Sequence, residues 1–108
     1  MKTMLSVEML ERENEAFRGT GGRSEENQDH GFVPAFIDIE TETIYRSCLA
    51  NGRPAPFHSV DGLPEEVVVA RTPSGRVARV KASVVSGFVR DGCFYTRDAA
   101  VRMVSPLN

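Results

Sequence analysis

The sequence has no tryptophan, only two cysteines, no long apolar run and no large excess of charge of either sign. No uncharged apolar run approaches the roughly 18 residues that a membrane-spanning helix requires, so we expect no membrane partner. The 13 basic and 15 acidic side chains give a net charge of −2, whereas a dedicated nucleic-acid module has a clear positive excess. What remains is a chain of 108 residues, 41% hydrophobic and 26% charged, which is the composition of one small globular domain.

The cysteines and histidines predict neither a metal site nor a cofactor. Cys48 and Cys93 belong to no Cys-x-x-Cys pair, and together with His30 and His58 they match no zinc-binding spacing. The first residues contain acidic groups such as Glu8 where a signal peptide would be apolar. We therefore expect a cytoplasmic protein with two free thiols, because disulfides are rare in a reducing compartment.

An acidic arm precedes a body of balanced charge. Apolar residues of the arm, among them Leu10 and Phe17, recur near the helical period between glutamates, and this pattern predicts an amphipathic helix within residues 1–18. The next segment, residues 19–31, is acidic and rich in glycine. It predicts a flexible linker, because it has too little apolar surface to offset the entropy lost on ordering. Residues 32–108 form the single predicted sheet domain.

The body consists of short β-branched runs separated by turn residues, which is the pattern of antiparallel strands. In the first run, Phe36 lies on one face of the predicted strand, and Val33 and Ile37 lie on the other. The clearest hairpin signal is Thr72-Pro-Ser-Gly75, which separates two later runs, and Asp91-Gly92 predicts a further hairpin.

A short C-terminal helix completes the prediction, with Thr96 as its candidate N-cap. The predicted fold class is therefore α+β: a small, mostly antiparallel sheet of five to six short strands, either open or curled into a roll. A short C-terminal helix packs on this sheet, and an N-terminal amphipathic helix precedes it.

Leu10 and Phe17 are candidate partner contacts. An amphipathic helix on a flexible arm can bind the groove of a protein partner or of a second copy, and it can equally pack on its own sheet. A body of about 75 residues has only a marginal core, which favours a homodimer. Deletion of residues 1–31 separates the two interpretations. A folded truncation that no longer self-associates indicates a binding arm, and an unfolded truncation indicates a helix that belongs to the core.

A basic strand face is the candidate nucleic-acid contact. Four basic residues and one aromatic residue fall on the predicted hairpins: Arg71, Arg79, Lys81, Arg90 and Tyr95. Arg79 and Lys81 share strand parity and could follow a phosphate backbone, and Tyr95 could stack on an unpaired base. Acidic neighbours and the nearly neutral body make a solvated sheet face the competing interpretation.

An acidic turn is the first of two constellations that resemble catalytic groups. Asp38, Glu40 and Glu42 share strand parity, so three carboxylates could converge to hold a cation or to transfer protons. They lie in a predicted hairpin turn, however, where solvated acids are common. We therefore expect no site there.

His58, Ser59 and Asp61 are the second such constellation, because they are the residue types of a hydrolytic triad. Neighbours along an extended segment point to opposite faces, whereas a triad needs its groups within hydrogen-bond reach. A pocket lined by His58 and a carboxylate would favour an enzyme. From the sequence alone we predict that the protein is not one.

Three motifs resemble segments of small uncharacterised bacterial proteins of unknown function. They are Asn51-Gly-Arg-Pro-Ala-Pro-Phe-His58, Asp61-Gly-Leu-Pro-Glu65 and Gly87-Phe-Val-Arg-Asp-Gly-Cys-Phe-Tyr-Thr-Arg97. The resemblance covers about residues 32–100 and leaves out the arm. It implies no role for any residue of this chain.

The sequence therefore predicts a non-enzymatic protein-interaction or regulatory module whose partner is another protein or a second copy of the chain. The alternative function is a weak nucleic-acid-binding protein that uses the basic strand face. The salt dependence of binding distinguishes the two functions, because contacts with nucleic-acid phosphates weaken steeply as salt is added.

Overall fold

The structure is a computed structural model that describes residues 7–16 and 30–104. Within these ranges the chain is a small α+β domain, which confirms the predicted fold class. Its elements are α1 (Val7–Ala16), β1 (Val33–Asp38), β2 (Thr43–Arg46), β3 (Val68–Arg71), β4 (Val77–Val80), β5 (Val84–Arg90), β6 (Cys93–Thr96) and α2 (Arg97–Val104). A 3-10 turn, Glu65–Val67, leads into β3.

The strands divide into two antiparallel sheets. Four strands follow the order β2-β1-β5-β6, and β3 pairs with β4 in a separate two-stranded sheet. The central strands β1 and β5 pair from Val33 opposite Val89 to Asp38 opposite Val84. The β3–β4 hairpin is thus inserted between β2 and β5 in the chain, and β5 returns to lie beside β1. The sequence predicts five to six strands, and the described residues contain six, but it does not predict this division.

Local turn chemistry explains where several elements begin and end. Asp91 and Gly92 have φ angles of 53° and 80°, and two left-handed residues in succession are what a two-residue hairpin needs to match the strand twist. In the β3–β4 turn, the Gly75 amide donates to the Thr72 carbonyl oxygen at 2.9 Å. The Ala99 amide donates to Thr96 Oγ1 at 3.1 Å, so Thr96 caps α2 as predicted.

Two apolar clusters join the sheets and both helices. The larger cluster contains one residue of α1, residues of both sheets and the segment between β2 and β3: Leu10, Phe36, Val60, Leu63, Val67, Val77, Val80 and Val84. The smaller cluster joins α2 to the four-stranded sheet through Phe32, Phe88 and Ala100. Both described helices and the two-stranded sheet therefore pack on the larger sheet, α1 and the two-stranded sheet through the larger cluster and α2 through the smaller one.

The two faces of the four-stranded sheet differ in what covers them. Cross-strand partners share a face, and residues alternate along each strand, so the pairing register assigns every strand residue to a face. The face we call the packed face carries Pro34, Phe36, Asp38, Thr43, Tyr45, Val84, Ser86, Phe88, Arg90, Cys93 and Tyr95. The face we call the open face carries Val33, Ala35, Ile37, Ile44, Arg46, Val85, Gly87, Val89, Phe94 and Thr96. Both core clusters draw their sheet residues from the packed face.

Candidate functional surface

A buried polar network joins both helices to the centre of the sheet. His58 Nε2 lies 2.7 Å from the carbonyl oxygen of Gly87, and His58 Nδ1 lies 3.0 Å from Nη2 of Arg97. Arg97 Nε lies 3.3 Å from Ser86 Oγ and 3.5 Å from Glu13 Oε2. Ser86 Oγ in turn donates to Glu13 Oε2 at 2.7 Å. Arg97 is 3% exposed, and a buried guanidinium needs such partners to offset its lost hydration.

These contacts fix the tautomer of His58. A carbonyl oxygen can only accept, so Nε2 carries the proton and donates to Gly87; a guanidinium can only donate, so Nδ1 accepts from Arg97. Burial, followed by the positive charge of Arg97, lowers the pKa of His58 to about 3. The ring also packs edge-on against Phe36 and Phe88. His58 is therefore a neutral core residue with both ring nitrogens in use.

A small pocket of about 220 Å³ opens beside His58. It is lined by Leu10, Leu49, Phe57, His58, Ser59, Val60, Asp61 and Arg76. The pocket thus has the histidine and the carboxylate that would favour an enzyme, but both groups contact other parts of the protein. The Asp61 carboxylate accepts from the Arg76 guanidinium at 2.9 Å and from the Val77 amide at 3.3 Å. Both ring nitrogens of His58 already contact Gly87 and Arg97, so the ring has no nitrogen left to take a proton from Ser59 as a triad requires.

Two carboxylates of the acidic turn between β1 and β2 pair with the same lysine. Lys81 Nζ lies 3.1 Å from Asp38 Oδ2 and 3.0 Å from Glu40 Oε1. The pKa of Asp38 is lowered, first by a hydrogen bond from the Ser83 side chain and then by its other hydrogen bonds. Lys81 lowers the pKa of Glu40 by hydrogen bonding and by its charge. Glu42, the third carboxylate, has a φ of 59° and lies at the turn itself.

The predicted nucleic-acid contacts lie in two separate sheets. Arg71 of β3 forms an ion pair with Glu65 and donates to the Gly75 carbonyl oxygen at 2.7 Å. Arg79 of β4 is exposed and lies opposite Ala70. Lys81 follows β4 and is held by the acidic turn. Charge from this sheet is therefore partly balanced by neighbouring carboxylates.

Arg90 and Tyr95 belong instead to the four-stranded sheet. The Arg90 guanidinium lies 4.6 Å from the ring centroid of Phe32 and 5.5 Å from that of Tyr95, which is cation–π geometry. Tyr95 packs against the smaller core cluster. The two groups predicted to hold a phosphate and to stack on a base thus contact each other and the core, and nucleic-acid binding by these residues stays a prediction.

The candidate partner contacts of the arm have different outcomes. Leu10 is 5% exposed and lies in the larger core cluster, and Glu13 binds Ser86 in the network described above. The structure thus has α1 packed on its own sheet. Phe17 lies outside the described residues, as does the predicted linker over residues 19–31 except for its last two positions.

The open face is an apolar surface that the sequence analysis did not identify as a site. Five of its large side chains are partly exposed: Val33, Ile37, Val85, Val89 and Phe94. Ile44 is 40% exposed. Ile39 directly follows β1, continues the ladder through a 2.9 Å hydrogen bond from its amide to the Ser83 carbonyl oxygen, and is 49% exposed. These apolar side chains come from all four strands, whereas Ala35 and Gly87 at the centre of the face are buried. Exposed apolar surface is a common mark of interaction sites.

Close packing in the centre of the open face depends on Gly87. A Cβ atom at this position would collide with the Phe94 ring and the Tyr95 carbonyl oxygen. Glycine therefore allows the Phe94 ring to lie across the middle of the face. The charged residue of the face, Arg46, lies on the edge strand β2, beside Pro54 and Pro56 in a groove of about 370 Å³.

The sequence does contain a signal for the open face. Central strands β1 and β5 have apolar residues at both parities, for example Phe36 beside Ile37 and Phe88 beside Val89. Strands that are apolar on both sides are normally covered on both sides. The sequence therefore indicates that both faces of these strands are apolar. It does not indicate which face the described helices and hairpin cover, and only the structure shows this.

Other site classes receive no support from the described residues or from known proteins. Over residues 7–16 and 30–104, no group of three His, Cys, Asp or Glu side chains could hold a metal ion. None of the helices in these ranges has the length and apolar character needed to cross a membrane. No protein-family model, no curated protein and no solved structure matches the chain.

Proposed function

We propose that this chain is a non-enzymatic protein-interaction module that binds its partner through the open face. The observation that carries the proposal is the apolar character of this face, with one charged residue, Arg46, among ten positions. Burial of such a surface is favourable by about 25 cal/mol per Å² of apolar area removed from water. The core clusters lie on the other side of the sheet. We therefore expect the surface of a second protein to cover the open face.

The polar groups of the chain support a role without catalysis. His58 uses both ring nitrogens within the fold, and Asp61 accepts hydrogen bonds from its own chain. Asp38 and Glu40 share Lys81. A group that acts as a catalytic acid, base or nucleophile must be able to reach a substrate, and these residues instead hold segments of the domain together.

Site-specific photo-crosslinking in the source cell tests the proposal. A photoreactive amino acid replaces Ile44 on the open face in one variant and Val69 on β3 in the other. The two positions are matched, because both hold β-branched residues on strands and are 40% and 50% exposed. We expect a discrete protein adduct from position 44 and none from position 69.

Two results would contradict the proposed function. One is the absence of any adduct from position 44 while the variant is folded and expressed. The other is an identical adduct pattern from both positions, because this would mean that the open face has no preference over an ordinary exposed strand.

A further inference from the structure

We propose that the surface beneath α1 is a binding groove for an amphipathic helix of a partner protein, one with a leucine and a glutamate three positions apart. This surface, which we call the helix groove, is formed by Phe36, Phe57, Val60, Ser86 and Arg97. In the structure α1 occupies the groove, so the chain's own helix competes with the partner. The helix groove lies on the packed face, and the proposal therefore goes beyond the function assigned to the open face.

The polar end of the helix groove is built to receive a carboxylate. Ser86 Oγ donates to Glu13 Oε2 at 2.7 Å, and Arg97 Nε lies 3.5 Å from the same oxygen. Ser86 and Arg97 are only 2% and 3% exposed and belong to β5 and α2, whereas the carboxylate comes from α1. On its other side the guanidinium donates to His58 Nδ1 at 3.0 Å, which fixes its orientation. A buried, oriented cation selects a carboxylate over a neutral group, because charge-assisted hydrogen bonds are the stronger ones.

The apolar end of the groove receives the leucine. Leu10 is 5% exposed and belongs to the larger core cluster together with Phe36 and Val60. Residues three positions apart lie on the same face of a helix, so Leu10 and Glu13 enter the two ends of the groove together. A groove that takes such spaced anchor residues from one helix face is a recurring mode of peptide recognition.

α1 fills this groove incompletely. The pocket of about 220 Å³ opens beside Leu10, with Leu49 and Phe57 in its lining, and Phe57 is 53% exposed. The ten residues of α1 are also fewer than the roughly 12–15 that a marginally stable isolated helix needs. A longer helix with a further apolar residue beside its leucine would cover Phe57 and fill this pocket. The partner helix thus gains contacts that α1 does not make.

The covalent connection of α1 to the body sets the strength of the competition. A binding segment joined to its site by a short connection competes at an effective concentration of about 1 mM. A helix added from outside therefore binds the wild-type chain only weakly. Weakening the contacts of α1 should raise the affinity of the groove for the added helix, because the groove itself is unchanged.

Fluorescence anisotropy of a labelled peptide tests the proposal with the full chain. The peptide has the sequence of residues 1–18, and the protein is titrated up to about 1 mM, the effective concentration of the tethered helix. We expect the Glu13→Gln protein to bind this peptide at least about ten times more tightly than the wild type does, because its own helix has lost hydrogen bonds to a charged group. Glu11→Gln makes the same change at an exposed position of α1 and should bind as the wild type does.

The same two substitutions in the peptide test the carboxylate requirement of the groove. Against the Glu13→Gln protein, a peptide that carries Glu13→Gln should bind at least about ten times more weakly than the unmodified peptide. A peptide that carries Glu11→Gln should bind as the unmodified peptide does. Circular dichroism establishes that each protein variant is folded.

Three results would overturn the helix groove. One is the absence of peptide binding to the folded Glu13→Gln protein, and another is equal binding of the two modified peptides. The third is an unfolded Glu13→Gln protein, because the groove then exists only with its own helix in place. The interaction function of the open face is tested by crosslinking at position 44 and stands or falls separately.

Discussion

His58 is kept neutral by burial and by a positively charged neighbour. Its two ring nitrogens contact a carbonyl oxygen and the Arg97 guanidinium, and its pKa is lowered to about 3. A protonated ring would lose the hydrogen bond that Nδ1 accepts and would place two cations 3.0 Å apart. The fold is therefore linked to the protonation state of this single side chain.

We predict that the domain loses stability on mild acidification because of His58. The pKa of this histidine is about 3 in the folded state and about 6.5 when unfolded. Below pH 6.5 the unfolded state therefore binds a proton that the folded state does not, and stability falls as the pH drops toward 3. This linkage makes the free energy of unfolding about 2 kcal/mol lower at pH 5 than at pH 7.5. Urea denaturation at a series of pH values measures it.

The matched histidine variants separate this effect from general acid sensitivity. His58→Gln should be less stable than the wild type at pH 7.5 but should lose much less stability between pH 7.5 and 5. His30→Gln, at an exposed position, should behave as the wild type does. If the wild type has the same free energy of unfolding at both pH values, the conclusion that His58 is buried and neutral in the folded state is wrong.

At the scale of elements, α1 is a short helix that depends on the sheet. Its ten residues are fewer than the roughly 12–15 that an isolated helix needs to be even marginally stable in water. Two side chains hold it: Leu10 in the core cluster and Glu13 in the network with Ser86 and Arg97. The helix is therefore expected to form together with the body.

We predict that Leu10→Ala destabilises the whole domain. Removal of a buried leucine side chain costs about 2–5 kcal/mol, a large fraction of the roughly 5–15 kcal/mol of a typical domain. Glu11→Ala, one position along at an exposed site, should change the free energy of unfolding by no more than about 0.5 kcal/mol. Chemical denaturation followed by circular dichroism compares the two. Equal stabilities of both variants would show that α1 does not contribute to the core.

Elements governed by local chemistry could be predicted from the sequence, and long-range pairing could not. Asp91-Gly92 and Thr96 act on residues within one turn, so their roles follow from short-range geometry. The partners of Lys81 and His58, in contrast, lie 43 and 39 positions away. No hydrophobic period encodes which lysine meets which carboxylate. For the same reason the sequence places Asp38 and Lys81 in two different candidate sites, although they form one ion pair.

At the scale of the whole molecule, the domain has one well-covered sheet face and one apolar face outside the core clusters. A body this small buries a limited fraction of its surface, and the described helices and the β3–β4 hairpin are all used on the packed face. The apolar residues at both parities of β1 and β5 give the sheet a second apolar face, which neither core cluster of the described residues uses. The proposed interaction function rests on this face.

The solvent exposure of individual methyl groups tests most directly whether the open face is an exposed apolar surface. In a dilute, methyl-labelled sample, a soluble paramagnetic agent increases the relaxation rate of methyl protons that solvent can reach. We expect increases for open-face residues that lie between the large increase at Val69, which is 50% exposed, and the small change at Val67, Val77 and Val80, which are at most 1% exposed. The reporting open-face residues are Ile37, Ile44, Val85 and Val89. Relaxation rates at these four that stay as low as those of the core valines would contradict this account.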